Sequence, residues 1–128
     1  MRTAPTVIQA GAGFCMNTTK IGHQAEATAV AYLEDRDFEV IDRNWRSRYC
    51  EIDIIACRRE AIYFIEVKYR ITNDYGRGLD FISPPKLKQM AFADQIWIHN
   101  HSWPGDYRLA AIEVSGKQFK VTGFLPDL

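Results

Sequence analysis

The chain has 128 residues, 47% hydrophobic and 25% charged, with 16 basic and 16 acidic side chains. This describes one globular domain, and the zero net charge excludes bulk attraction to nucleic acid, so any such binding needs a local basic patch. Three cysteines (Cys15, Cys50, Cys57) without a C-x-x-C pair exclude a disulfide scaffold and a zinc site and point to a reducing cytoplasm, and no run approaches the ~20 apolar residues of a membrane span.

Residues 1–17 are rich in small residues and lack periodicity, which predicts a poorly ordered N-terminal extension ahead of a single domain over 18–128. No continuous apolar stretch at the N-terminus supports a signal peptide. From about Thr19 to Arg36 the pattern turns helical. Gly22, Glu26, Ala29, Val30 and Leu33 fall on one stripe, and Thr18 or Thr19 can cap it. Residues 38–46, FEVIDRNWR, alternate as a strand, and 50–57 and 61–68 give two more, split by Arg58-Arg59-Glu60. RITNDYGRGLDFI then reads as a loop. Ser83 followed by Pro84 starts a second helix, with Leu87, Met90, Ala91, Trp97 and Ile98 on its apolar stripe, and NHSWPGD ends it. Residues 107–114 and 118–124 form a final hairpin turning at Ser115-Gly116.

Charged residues interrupt the two most strand-like segments. With a two- or four-residue loop around Arg59-Glu60, facing residues have numbers summing to 119. Cys57 then faces Ile62, Ile55 faces Phe64, Asp53 faces Glu66 and Glu51 faces Lys68, all on one side of the sheet. The other side carries Ile52, Ile54, Ala56, Ala61, Tyr63, Ile65 and Val67. An odd loop would slip the register and scatter the cluster. Two facing carboxylates are unfavourable unless something positive lies between them. Lys68 would serve, as would a divalent cation such as Mg²⁺, which takes one or two carboxylates plus water and phosphate oxygens. The plainer alternative is a salt-bridge network, worth only ~0–1 kcal/mol if exposed.

The pattern D-x12-E-x-K after a helix bearing another Glu resembles the PD-(D/E)XK nuclease superfamily, which includes restriction endonucleases and Holliday-junction resolvases. More closely, G-x-x-x-E-x-x-A-x-x-Y-L (from Gly22), R-N-W-R (Arg43 to Arg46), E-I-D-I-I-A (Glu51 to Ala56) and F-I-E-V-K-Y-R (Phe64 to Arg70) resemble the YraN-type family of small bacterial proteins. The likeness runs from about Gly22 to Val121. It implies an α/β fold with a restriction-endonuclease-like αβββαβ core, a mixed central sheet flanked by helices. It also implies a Mg²⁺- (or Mn²⁺-) dependent endonuclease acting on DNA, including branched or damaged DNA in repair or recombination.

In that reading Asp53 and Glu66 hold the metal with the backbone carbonyl of Val67. Lys68 orients or deprotonates the attacking water, and Glu26 reaches in from the first helix, directly or through water. Glu51 is the expected partner of Lys68. Lys86 matches a basic position of the family and, in the first turn of a helix, needs an anionic partner such as phosphate. Arg43, Arg46, Arg70 and Arg77 are candidates to grip DNA phosphates. Trp45 either stacks on a base or, more in keeping with its neighbours, fills the core.

The chain departs from the family pattern at Cys50, where the family has Gly, and at Ala110, where the family has an acid. Met16 sits where the family's chains commonly begin. His99-Asn100-His101 spells HNH but reads as a polar loop. A catalytically inactive nucleic-acid-binding or adaptor module on the same fold, and a structural subunit, are the competing functions. The oligomeric state stays open, a homodimer included.

Overall fold

The computed structural model describes residues 12–71 and 82–128. Its elements run in the order α1 (Ala12–Glu34), β1 (Glu39–Arg46), β2 (Glu51–Arg58), β3 (Ala61–Arg70), α2 (Pro84–His101), β4 (Asp106–Ser115) and β5 (Lys120–Leu125). Helix α1 begins at Ala12, ahead of the threonines expected to cap it, so part of the expected irregular extension is helical. No proline interrupts that stretch, and a single glycine costs a helix only ~1 kcal/mol. At the other end, Asp37 at φ 70° turns the chain, and the Phe38 amide returns to the Leu33 carbonyl at 3.1 Å. That closure seats Phe38 in the core beside Leu33.

The five strands lie in the order β1-β2-β3-β4-β5. Neighbours are antiparallel except β3 and β4, which run parallel because α2 carries the chain back across the sheet. The β2–β3 hairpin has the expected register: Arg58 pairs with Ala61, Cys57 with Ile62, Ile55 with Phe64 and Ile54 with Ile65. Arg59 and Glu60 both take positive φ, 51° and 68°, as the two-residue turn that matches strand twist requires.

Helices cover both faces of this sheet. On one side Ala25, Ala29 and Leu33 of α1 pack on Ile54, Ala56, Ile65, Ile112 and Val114. On the other, Ala93 and Trp97 of α2 pack on Trp45, Ile52, Ile55, Ile62 and Phe64. Trp45 is therefore a core residue. Ala110 is fully buried in the α1-side core. Helix, three strands, helix and two strands around a mixed sheet make a restriction-endonuclease-like core. Among the described residues no helix is long and apolar enough to cross a membrane.

Helix α2 starts as its sequence predicts. The Ser83 hydroxyl accepts from the Lys86 amide at 3.3 Å, and prolines occupy the first turn. Its end corrects the reading of the HNH triplet as a loop. His99 and His101 form the last helical turn, with the His101 ring stacked on Trp97 at 4.1 Å, and Ser102 closes the helix in the left-handed region. The strand face assignment also needs one correction. Ile52 packs with Trp45 on the α2 side, whereas Ile54, two residues on, packs on the α1 side. Alternation breaks across Asp53.

Candidate active site

The break has a local cause. The β2–β3 ladder ends at Ile54–Ile65. One residue further, an Asp53 carboxylate oxygen accepts the Val67 amide at 2.8 Å, so a side chain satisfies a backbone donor that a ladder would otherwise take. The strands part there, and an acid marks the parting. Burial pushes the Asp53 carboxyl well above the usual carboxylate range; the Glu66 charge raises it further, the Val67 hydrogen bond opposes this, and Glu26 and Glu51 add to the rise. Glu66, Glu26 and Glu51, from β3, α1 and β2, are thus near enough for their charges to act on Asp53.

Each has its own anchor. Glu26, on the buried stripe of α1, accepts from the Asn44 side-chain amide of β1 at 2.9 Å. Burial raises its pKa, while Asn44 and the charges of Arg43 and His23 pull it down and Glu51 raises it. Asn44 presents that amide from a backbone at φ 53°, a conformation asparagine tolerates better than most residues. Glu66 lies 3.1 Å from the Lys86 ammonium, which supplies the anionic partner expected for a cation in a helix's first turn. Glu51 does not face Lys68. It follows β1 instead, in register with Arg46 and 3.1 Å from its guanidinium. A residue on an inner strand has two neighbours, and here the β1 ladder persists where the β3 ladder has ended.

Lys68 is half-buried, two residues beyond Glu66 on β3, and its register partner across the parallel pair is Glu113. Glu113 is itself buried, accepts from the Thr122 hydroxyl at 2.7 Å and lies 3.6 Å from the Arg70 guanidinium. Arg70 is therefore tied into the sheet rather than spread on the surface. Arg43 lies near Glu26, and Arg46 lines the open groove beside Glu66 and Lys86. Arg77 lies outside the described residues. Cys50, expected to stand in place of a glycine, adopts no positive φ. The Ser47 amide donates to the Cys50 carbonyl at 2.8 Å, and the Ser47 hydroxyl touches Cys50 Sγ at 3.0 Å, which closes the β1–β2 turn.

Three residues of this region escaped the sequence reading: Asn44, Glu113 and Asp94. Asp94, on the sheet-facing side of α2, is 2% exposed, and its Oδ2 has no hydrogen-bond partner among the described residues. Burial raises its pKa to about 8. Glu113 sits in an apolar run much as Asp53 and Glu66 do, and the same signal would have flagged it.

The donor set suits a hard cation. Asp53 and Glu66 are oxygen ligands whose mutual repulsion a divalent ion would offset. Among the described residues no group of three His, Cys, Asp or Glu side chains is close enough to hold a metal alone.

The sequence profile of an uncharacterised protein family, UPF0102, matches residues 25–119 of this chain. It belongs to that family. The family is the YraN family, a member of the PD-(D/E)XK-like nuclease superfamily. A UPF0102 protein of Fusobacterium nucleatum is 35% identical over 94 residues, covering 73% of this chain and 78% of the relative. One from Cytophaga hutchinsonii is 33% identical over 100 residues, 78% of this chain and 88% of the relative. A third, from a Sulfurihydrogenibium species, is 36% identical over 104 residues, 80% and 90% respectively. The UPF0102 match spans Glu26, Asp53, Glu66, Lys68 and Lys86, so every acid and lysine of the candidate site falls within it.

Proposed function

We propose that this UPF0102 protein is a metal-dependent endonuclease that hydrolyses phosphodiester bonds in DNA. One observation carries the reading: Asp53 ends the β2–β3 ladder by taking the Val67 amide, at the point where the charges of Glu66, Glu26 and Glu51 converge on it. A sheet built only for stability gains nothing from like charges set into its two central strands.

Asp53 and Glu66 would hold Mg²⁺ or Mn²⁺, helped by the Val67 carbonyl, with Glu26 acting through water. When bound, the cation supplies Lewis-acid polarisation of a phosphoryl oxygen and makes a neighbouring water more acidic. The remaining work belongs to the chain. Lys68 orients the attacking water and adds fixed positive charge where negative charge develops on phosphorus. Asn44 fixes the Glu26 carboxylate, and Lys86 fixes Glu66 at the mouth of the groove. Arg46 and Lys86 line that groove and receive flanking phosphates.

A second reading, a nucleic-acid-binding module without turnover, is favoured by one contact. The Lys86 ammonium lies 3.1 Å from the Glu66 carboxylate and offsets its charge, a role a metal would otherwise fill. The test is incubation of the purified protein with branched, nicked and single-stranded DNA in Mg²⁺, Mn²⁺ or EDTA, beside Asp53→Asn and Lys68→Ala. Cleavage that needs metal and vanishes in both variants supports the nuclease. DNA binding that is indifferent to metal and to both substitutions, without cleavage, supports the module.

A further inference from the structure

Two grooves meet beside Glu66. One, of about 430 Å³, runs along the β1–β2 turn past Arg46, Arg48, Tyr49 and Glu66 to Lys86 and Gln89. The other, of about 550 Å³, continues from Lys86 and Gln89 along the first turns of α2 to Lys88 and Phe92. Both are open to solvent, so a ligand there lies along the surface rather than in an enclosed pocket. Their linings carry four cations (Arg46, Arg48, Lys86, Lys88) against two carboxylates (Glu51, Glu66). The chain as a whole is neutral, so this excess is local.

Each groove also has one large exposed ring, Tyr49 at 72% and Phe92 at 53%. Neither stands at a random place on the surface. Tyr49 is presented by a turn that Ser47 pins, the Ser47 hydroxyl accepting the Tyr49 amide at 3.2 Å, and the Arg48 guanidinium lies 5.6 Å from its ring centre. Phe92 sits on the outward side of α2, one residue before the Ala93 that packs on the sheet. Two grooves that share Lys86 and Gln89, each carrying cations and one exposed ring, with Glu66 on the wall of the first, make an arrangement that suits unpaired nucleotides. Cations track the backbone while bases stack on the aromatic faces. A duplex keeps its bases inside the stack and offers such rings nothing.

We infer that the substrate enters these grooves as a single strand, with one unpaired base stacked on Tyr49, another on Phe92, and the strand passing Glu66, the candidate metal ligand on the groove wall. The inference rests on the nuclease reading and narrows its substrate to unpaired segments of nucleic acid.

The test is fluorescence anisotropy of a labelled oligothymidylate of about 15 nucleotides, and of a duplex of equal length, with the full chain in EDTA. The single strand binds at least about tenfold tighter than the duplex. Tyr49→Ala and Phe92→Ala each weaken single-strand binding by roughly fivefold to a hundredfold. Tyr49→Phe and Phe92→Tyr restore it, and the salt dependence is unchanged in all four. Arg48→Ala and Lys88→Ala each instead flatten the salt dependence by about 0.7 in the log–log slope. Equal affinity for duplex, or alanine variants that bind the single strand as wild type does, overturns the single-strand inference. Metal-dependent cleavage lost in Asp53→Asn would still uphold the nuclease reading in that case. No binding of either form overturns that inference outright, and the cleavage assay then judges the nuclease reading separately.

Discussion

The two ends of the β2–β3 hairpin differ in pairing and serve different purposes. At the turn, pairs from Arg58–Ala61 to Ile54–Ile65 form an unbroken ladder whose inner side chains are apolar and buried on both faces. One residue further, the ladder stops, Asp53 binds the Val67 amide, and the Glu66 charge acts on it. At the turn end backbone pairs with backbone; at the other end a side chain takes the backbone donor and alternation breaks. Burying Ile55 or Phe64 releases water from apolar surface, whereas burying Asp53 near the Glu66 charge raises the free energy of the charged state. Stability is concentrated at one end and reactive charge at the other.

The largest effect that would sharpen this contrast is on cleavage. Asp53→Asn keeps an oxygen to accept the Val67 amide but loses the charge, so metal-dependent cleavage falls by about 10²-fold or more. The melting temperature stays level or rises, because a buried carboxyl near the Glu66 charge has gone. Phe64→Ala does the reverse. Phe64 is 1% exposed and meets Trp97 and Tyr107 edge to face, so its loss costs ~3–5 kcal/mol, read by denaturant unfolding. Its folded fraction still binds DNA as wild type does. Two variants with the same losses in both assays would erase the distinction between the ends.

Much of that contrast was legible in the sequence because alternation and a two-residue polar break determine a hairpin register almost alone. Cys57–Ile62 and Ile55–Phe64 follow from Arg59-Glu60, and the neighbourhood of Asp53 and Glu66 follows from them. The partner of Glu51 was not legible. An inner strand offers each residue two neighbours, and alternation does not say which ladder persists; Arg46 won. The Asn44 bond to Glu26 needed the placement of α1 over β1, which no local pattern encodes. Asp94 was hidden for a third reason. An acid on a helix reads as a solvent-facing residue, and only the packing of α2 shows that it faces the sheet.

Asp94 offers a test on α2, between the two ends. Its folded pKa of about 8 lies above the unfolded value of ~3.9, so the fold holds it neutral. The preference for the neutral form supports folding fully below the unfolded pKa and is lost as pH rises toward 8. Asp94→Ala removes this dependence. The variant melts close to wild type near pH 4 and well above it at pH 8, where a pKa raised from ~3.9 to about 8 corresponds to an increment of up to ~5 kcal/mol. A pH-independent difference between the two proteins would mean that Asp94 carries its charge in the fold. The contrast would then extend to α2, with charge tolerated against the apolar end as well as the open one.

The smallest effect concerns the turn itself. Arg59 and Glu60 both stand at positive φ, where a side chain with a Cβ is strained and only Gly, Asn and Asp are at ease. Asn-Gly is the sequence this turn geometry favours most. The double substitution Arg59→Asn with Glu60→Gly therefore raises stability by ~1 kcal/mol, a shift of several degrees in melting temperature. Glycine also widens the unfolded ensemble, which trims the gain but does not reverse it where the native φ is positive. The same change leaves cleavage and single-strand binding untouched, because the ladder from Arg58–Ala61 to Ile54–Ile65 lies between the turn and Asp53. A change in cleavage would mean that strain at the turn is transmitted along the hairpin to the parted strands, and that the two ends are one device.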